Sequence, residues 1–406
     1  MLEKPIPPLR RELEPTPIHD RKGHAFIRLD DPLHLSDTAV FLPPPLFWLA
    51  ALFDGQHTIA ELYRQHRQKF REKLNEAQIQ AMIKSLDEAF LLDNDRFARR
   101  LAARRQAYRK LQVRPMAFAG QSYAEEPEAL AEQMRRQAAE AAAISSVRVA
   151  TDRKIVGAAV PHIDPRLGGV TYAAVYRFFH TLPTNTVFVV LGISHHMMKS
   201  AFALTERPFA VPGGQVEIDR QLLHRITKHC KNDLFQDELY HLYEHSIEFQ
   251  AVYLSWFVKV PFTLVPVLCS FTFPMKETER RQYEEFLQAV QAAAAEESRH
   301  VVYIAAVDLS HIGPLYGSQW APDAFQLAQV EETDKKLLDA FMRRDTAAFD
   351  LVFEQKAAQN NVCGFPAMRT LLPLLPPSEG VLIAYDNAIM DEFRSTVTFA
   401  GVLFVR

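Results

Sequence analysis

The stretch Val187-Phe188-Val189-Val190-Leu191-Gly192-Ile193-Ser194-His195-His196 decides how this chain is to be read. A continuous apolar run rich in β-branched residues is the pattern of a strand buried on both faces, and here it runs straight into two imidazoles. The arrangement recurs twice. Ile155 to Val160 leads into Pro161-His162-Ile163-Asp164, and Val301 to Val307 leads into Asp308-Leu309-Ser310-His311. Two more polar islands, Glu244-His245-Ser246-Ile247-Glu248 and Asn361-Val362-Cys363-Gly364, complete the set. Strand ends of an α/β sheet are where ligand sites collect.

Working outward, apolar segments at 155–160, 187–192, 262–268, 301–307 and 381–385 alternate with helical stretches near 170–181, 219–229, 245–259, 276–296 and 322–343. That alternation predicts an α/β sheet covered by helices on both faces. Val211-Pro212-Gly213-Gly214-Gln215 and the ending Ser395 to Val405 add some antiparallel or mixed pairing.

The first hundred residues have another texture. His24 to Leu29 reads as a short strand, Leu46 to Phe53 as an apolar helix, and Asp54-Gly55-Gln56-His57-Thr58 as a turn. Thr58 with Glu61 has capping-box spacing, which starts a helix over Ile59 to Phe70. A second helix opens near Asn75 and carries Ile79, Met82, Ile83, Leu86 and Phe90 at three- and four-residue intervals. Arg96 to Arg114 follows, with Arg99, Arg100, Arg104, Arg105, Arg109, Lys110 and Arg114, and reads as the solvated face of a linking helix. Glu125 to Ala143 forms another helix. The expected division is a small domain at 1–98, a helical linker at 99–149 and the main domain at 150–406.

With 406 residues, 48% of them hydrophobic and 23% charged, the chain has the make-up of a globular protein large enough for two domains. A formal net charge of −3 gives no reason to expect nucleic acid or an anionic membrane as partner. The three cysteines, Cys230, Cys269 and Cys363, fit neither a disulfide framework nor a C-x-x-C clip, which suits a reducing compartment. The opening Met1-Leu2-Glu3-Lys4-Pro5 lacks the apolar core of a signal peptide, and no apolar run is long enough to span a bilayer. A soluble, cytoplasmic protein is expected.

Chemically, a neutral imidazole offers one lone pair to a metal and a thiolate a softer, stronger one. Two histidines, a third ligand and open positions describe a catalytic metal site rather than a structural one. A thiol beside a helix start has its pKa lowered. None of these residues lies four from another on one helix, so spacing alone does not separate ligands from hydrogen-bonded structural residues. His57, His66, His224, His229, His241 and His300 read as surface residues, and Cys230 and Cys269 as packing residues.

Taken in order, Pro161-His162, Gly192-Ile193-Ser194-His195-His196, Glu244-His245-Ser246-Ile247-Glu248, Pro266-Val267-Leu268, Asp308-Leu309-Ser310-His311 and Val362-Cys363-Gly364 resemble the Memo family, named AmmeMemoRadiSam system protein B in bacteria and archaea. The resemblance covers roughly residues 150 to 406. It implies the fold of class III extradiol dioxygenases, an α/β sandwich around a pocket for a mononuclear metal ion, iron first, with copper or zinc as alternatives. It also implies that His162, His195 and Cys363 are metal ligands and that His245, Asp308 and His311 line the pocket and handle protons. Glu244 either orients the His245 ring or, with Glu248, forms a helix-start charge pair. Residues 24 to 98, through "D-G-x-x-T-I-x-E-L" and "F-L-L-D-N", resemble the small α+β winged-helix modules related to PqqD.

This chain departs from the Memo pattern in two places. Ile163-Asp164-Pro165-Arg166 stands where the family has Ala-Gly-Tyr, so Asp164 is either a pocket carboxylate or a partner of Arg166. Phe365 stands where the family has an arginine, leaving Arg369 or Arg166 as candidate replacements. His196 points away from its neighbour His195, since adjacent residues on a strand end face opposite sides. The function expected from the resemblance is a non-haem iron or copper oxidoreductase acting with a radical-SAM enzyme and an AMMECR-type protein, on a small molecule or peptide. The alternative is a non-catalytic peptide- or metal-binding adaptor of the same system.

Overall fold

The computed structural model describes residues 4–36, 38–70, 74–144, 147 and 153–406, and the chain divides into two compact units, Met1–Leu111 and Gln112–Arg406. The stretch 99–149 is therefore shared between them. Its basic helix belongs to the first unit and its Ala/Glu-rich helix to the second, while the boundary expected at 149/150 and the opening Met1-Leu2-Glu3 lie outside the described residues.

In the first unit, β1 (Glu14–His19), β2 (Ala25–Asp30) and β3 (Val40–Leu42) form an antiparallel sheet in that order. Four helices follow: α1 (Pro44–Ala50), α2 (Ile59–Lys69), α3 (Glu76–Glu88) and α4 (Asp95–Arg109). The Thr58–Glu61 capping box forms, and Asn75 with Gln78 makes a second one at the start of α3. Each satisfies amide donors that the first helical turn would leave bare. Leu49, Leu62, Ile79 and Leu86 meet in the core of the unit. Two strands, β1 and β3, were missed in the sequence; β1 alternates half-buried and exposed residues and carries Pro15 and Pro17, which hides its strand signal. Helix α4 buries Phe97, Leu101 and Tyr108.

The second unit begins with α5 (Pro127–Ile144) and then winds β4 (Ile155–Val160), α6 (Pro165–Tyr176), β5 (Thr186–Ile193), β6 (Phe202–Leu204), β7 (Phe209–Val211) and β8 (Gly214–Val216). Next come α7 (Arg220–His229), α8 (His245–Phe257), β9 (Phe262–Cys269), α9 (Glu277–Ala295), β10 (Val301–Ala306) and β11 (His311–Ile312). The chain closes with α10 (Ala324–Met342), α11 (Thr346–Gln355), α12 (Phe365–Leu374), β12 (Glu379–Ile389) and β13 (Thr396–Val405). The main sheet runs β11-β13-β4-β10-β5-β9-β6, with β12 on the far side of β13.

Strands β4, β10, β5 and β9 are parallel; β13 and β6 flank them antiparallel. Every residue of β4 and β5 is buried, so both faces of the sheet centre are covered. Replacing glycine with a larger residue would break this packing at defined points: a Cβ on Gly192 would lie 2.6 Å from the Ser246 hydroxyl oxygen. The expected strands and helices of this unit are all present, and the Val211–Gln215 segment makes the turn of the β7–β8 hairpin. No helix among the described residues is long and apolar enough to cross a membrane.

Candidate metal centre

Three parallel strands deliver the site. His162, Asp308 and His195 each lie two residues beyond the end of β4, β10 and β5, and β10 is the neighbour of both others. Side-by-side strand ends in register bring residues 146 positions apart within bonding distance. Asp308 Oδ1 accepts the His162 and Ile163 backbone amides at 3.0 and 3.1 Å, and Oδ2 is 3.5 Å from His162 Nε2.

Each imidazole is held by one nitrogen. His162 Nδ1 faces the Ala306 carbonyl at 2.9 Å, and His311 Nδ1 faces the Leu309 carbonyl at 3.0 Å. A carbonyl only accepts, so these nitrogens carry a proton and Nε2 is the nitrogen left to meet a second proton or a metal ion. His195 Nδ1 lies 3.1 Å from both Glu244 oxygens, and Glu244 also accepts the His195 amide. His245, the first residue of α8, stacks on His195 with ring centroids 4.5 Å apart, and its Nδ1 is 3.3 Å from Glu244. Of the two alternatives for Glu244, the structure bears out the orienting one, for His195 as well as His245, and Glu244 also caps α8 by accepting the Ser246 amide. His162, His195 and His245 each present one ring nitrogen within 4.8 Å of the others, a group able to hold a metal ion.

Cys363 closes the cluster from the opposite side of the sequence. Its Sγ is 3.3 Å from His162 Nε2. Gly364, the cap residue of α12, donates its amide to the Asp308 carbonyl; a Cβ there would sit 2.5 Å from that oxygen. Only glycine lets the α12 start approach the end of β10 so closely. Asn361, at φ 50°, spans the His311 and Tyr316 carbonyls with its side-chain amide. The Tyr316 ring meets His311 edge-on at 5.0 Å.

Burial disfavours every ion here, and attraction between the ions overcomes it in most cases. His162 is lowered by burial, but Asp308 and Cys363 prevail and push it up to about 9. Against the same penalty, Glu244 and then Cys363 carry His195 well above its usual value. Burial lifts the Cys363 thiol, yet His162 and His311 hold it well below the usual thiol range. His245 behaves oppositely: burial, aided by the charges of His195 and His162, overrides Glu244 and brings it to about 3. Asp308 is raised, chiefly by burial and then by Cys363.

The stretch Arg114–Tyr123, which no motif announced, straps the helix bearing Glu244 and His245. Arg114 is fully buried and donates to the His241 carbonyl at 2.6 Å, the Glu244 carbonyl at 2.9 Å and the Glu248 carboxylate. Glu248 also accepts the Ala117 and Phe118 amides and the Tyr123 hydroxyl. Phe118 in turn packs edge-on against His245 at 5.5 Å. Glu248 is thus the anchor of a buried ion pair rather than a helix-start charge. Gln250 supports the site from below, donating to the Pro161 carbonyl at 2.8 Å.

The structure decides the alternatives left open at Asp164 and Arg369, agrees with the expectation for His196, and corrects those for His66 and His241. Asp164 caps α6 and pairs with Arg166 at 2.7 Å, so neither enters the cluster. Arg369 is bound to Asp350 and to the Tyr283 hydroxyl, and it does not replace the arginine missing at Phe365. His66 and His241 are buried, not on the surface: His66 packs among Trp48 and Phe70, and His241 meets the Ala203 carbonyl at 3.0 Å. His196 keeps apart from the cluster, near Tyr240. Asp334, a buried carboxylate absent from the sequence reading, accepts from Ser310, Thr398 and Tyr385 and fixes the segment that bears His311.

The family profile of the Memo-like proteins matches residues 114–403. The chain belongs to the Memo family. A MEMO1 family protein of Aquifex aeolicus is 27% identical over 392 residues, covering 94% of this chain and 96% of that one. That of Thermococcus onnurineus is 30% identical over 263 residues, covering 63% of this chain and 88% of its own. A third, from Methanosarcina barkeri, is 26% identical over 297 residues, covering 72% and 99%. The Memo profile begins at Arg114, so the strap lies within the family's domain and not in a linker.

A metal ion fits this Memo site on the chemistry of its donors. The proximal nitrogens of His162 and His311 are spent on carbonyls, and that of His195 faces a carboxylate, which is the outer-shell pattern that fixes imidazoles as ligands. The thiol is poised to ionise beside them. His162 and Asp308 are buried, whereas the His195 and His245 side chains are 34% and 26% exposed, so the cluster opens to solvent on one side.

Proposed function

We propose that this Memo protein is a metal-dependent oxidoreductase with a mononuclear site at His162, His195 and Cys363, iron first and copper or zinc as alternatives. The observation that carries the reading is the convergence of His162 Nε2 on the Cys363 sulfur, with the other His162 nitrogen bound to a strand-end carbonyl. A thiolate and imidazoles together suit a redox-active or soft ion with open positions. When bound, the ion would supply a place for substrate or oxygen to coordinate and exchange electrons.

The protein's own groups do the rest. Glu244 orients the His195 and His245 rings, and Asp308 holds the His162 backbone in place. His245 stays neutral well below pH 7, so its outward nitrogen offers a lone pair to a hydrogen-bond donor of the substrate, while a ring brought down to about 3 is a weak base. His311, tied to Leu309, is placed to exchange a proton. For residues 1–98 we retain the PqqD-like peptide-recognition reading, which its α+β make-up supports.

Metal content of protein purified without oxygen tests this directly. Near-stoichiometric iron or copper, lost in His162→Ala, His195→Ala and Cys363→Ser, is expected. Failure to hold or take up Fe(II), Cu(I) or Zn(II) refutes the site and leaves the cluster as a metal-free binding pocket.

A further inference from the structure

A groove of about 760 Å³ runs along the surface of the second unit, within the size range of binding sites for small molecules and short peptides. Its lining includes Ile312 and Gly313, directly after His311, and Asn360, directly before the Asn361 amide that clips His311 to Tyr316. The groove therefore shares chain segments with the wall of the His/Cys cluster, and none of the cluster residues lines it.

The lining is unusual in its chemistry. Six carboxamides, Gln319, Gln326, Gln329, Gln355, Gln359 and Asn360, face it, over a floor that includes Val330 and Pro322. Gln326 has its oxygen committed to the cap of α10, but Gln319, Gln329, Gln355 and Gln359 have side chains bonded to no other protein group among the described residues. Two charged residues, Glu332 and Lys356, line it, and Glu332 is already paired with Lys336. Trp320, which also lines it, is 77% exposed.

We infer that this groove binds an uncharged peptide segment in extended form and directs it to the cluster. A carboxamide carries the same donor and acceptor as a peptide group, so a lining rich in them matches a main chain that presents both along its length. The lining holds a single cation, Lys356, a single carboxylate, paired with Lys336, and no arginine, so it lacks the cluster of charges that recognises phosphorylated, acidic or basic ligands. Trp320 is suited to an apolar side chain of the peptide, as aromatic anchors commonly are.

The inference rests on the proposed function only for what the groove serves; binding itself is independent of metal. The test is hydrogen exchange on the full chain with a library of end-capped hexapeptides lacking Asp, Glu, Lys, Arg and His. At about twice the mean Kd, exchange in 312–333 and 355–360 is expected to slow about threefold, because protection scales as one plus ligand over Kd. Gln329→Ala combined with Gln359→Ala, both surface changes, should abolish that protection while leaving metal content unaltered. No slowing with the neutral library, equal slowing in the double variant, stronger slowing with an Asp/Glu-rich library, or slowing by maltohexaose alone would each overturn the inference. Metal content measured on the same samples separates the two readings: protection without metal sinks the oxidoreductase, and metal without protection sinks the peptide groove.

Discussion

Replacing Arg114 with methionine tests whether the strap is built as described. The guanidinium donates to two carbonyls of the segment 241–244 and to Glu248, with both charged side chains at 0% exposure. Methionine keeps much of the stem's volume but leaves Glu248 with the Ala117, Phe118 and Tyr123 donors and no counter-charge, and strips two buried carbonyls of their donor. Breaking a buried pair by removing one partner costs about 3–5 kcal/mol. At roughly 2–4 °C per kcal/mol for a domain of this size, the melting temperature of the second unit should fall by about 6–20 °C. Glu248→Leu alone should cost a similar amount, and the double variant markedly less than the sum, since each single change leaves the other member stranded. Urea unfolding with a double-mutant cycle reads this out. A loss below about 1 kcal/mol for Arg114→Met, or strict additivity in the double variant, would refute the claim that the pair is buried and mutually dependent.

Two other outcomes follow from the same packing. Burial, with the Arg114 charge adding to it, depresses His241 to about 3, whereas the unfolded residue titrates near its ordinary 6.5. Below that value the unfolded chain takes up a proton that the native one refuses. Its contribution is therefore intact above about pH 6.5 and is lost as pH falls, by about 1.4 kcal/mol per unit. His241→Gln should flatten the stability difference between pH 5 and pH 7 relative to the native chain; an unchanged slope in urea unfolding would contradict it. Gly364→Ala should push the Cys363 loop off the Asp308 carbonyl and weaken metal uptake by about tenfold or more, an effect on the order of outer-shell changes at metal sites. Fold is checked by circular dichroism, and unaltered metal affinity in a folded variant would show that the close approach is not needed.

The elements of the second unit were legible because buried parallel strands are written as apolar runs, and the polar residue that ends each run marks the sheet's edge. Gly192-Ile193-Ser194-His195 and Glu244-His245-Ser246-Ile247-Glu248 could be read as site segments, and Glu244, His245, Ser246 and Glu248 all make contacts that shape it. The strap could not. Arg114 looks like one more cation at the end of a basic run, and its burial depends on residues 127 to 134 positions away. His66 and His241 were misjudged for the same reason: a histidine among polar neighbours on a helix carries no sign of what the helix packs against.

Sequence by itself determined the strand and helix order of the second unit, the pairing of polar islands with strand ends, and the family. Those properties rest on local periodicity and on side-chain chemistry, which are written residue by residue. Only the tertiary structure decided which ends become neighbours: β10 lying between β4 and β5 brings Asp308 against His162, and Gly364 brings Cys363 to the same point. It also decided which nitrogen of each imidazole is free, because that is set by the carbonyl or carboxylate across from the other one. Such contacts depend on distance in space, and distance along the chain does not encode it.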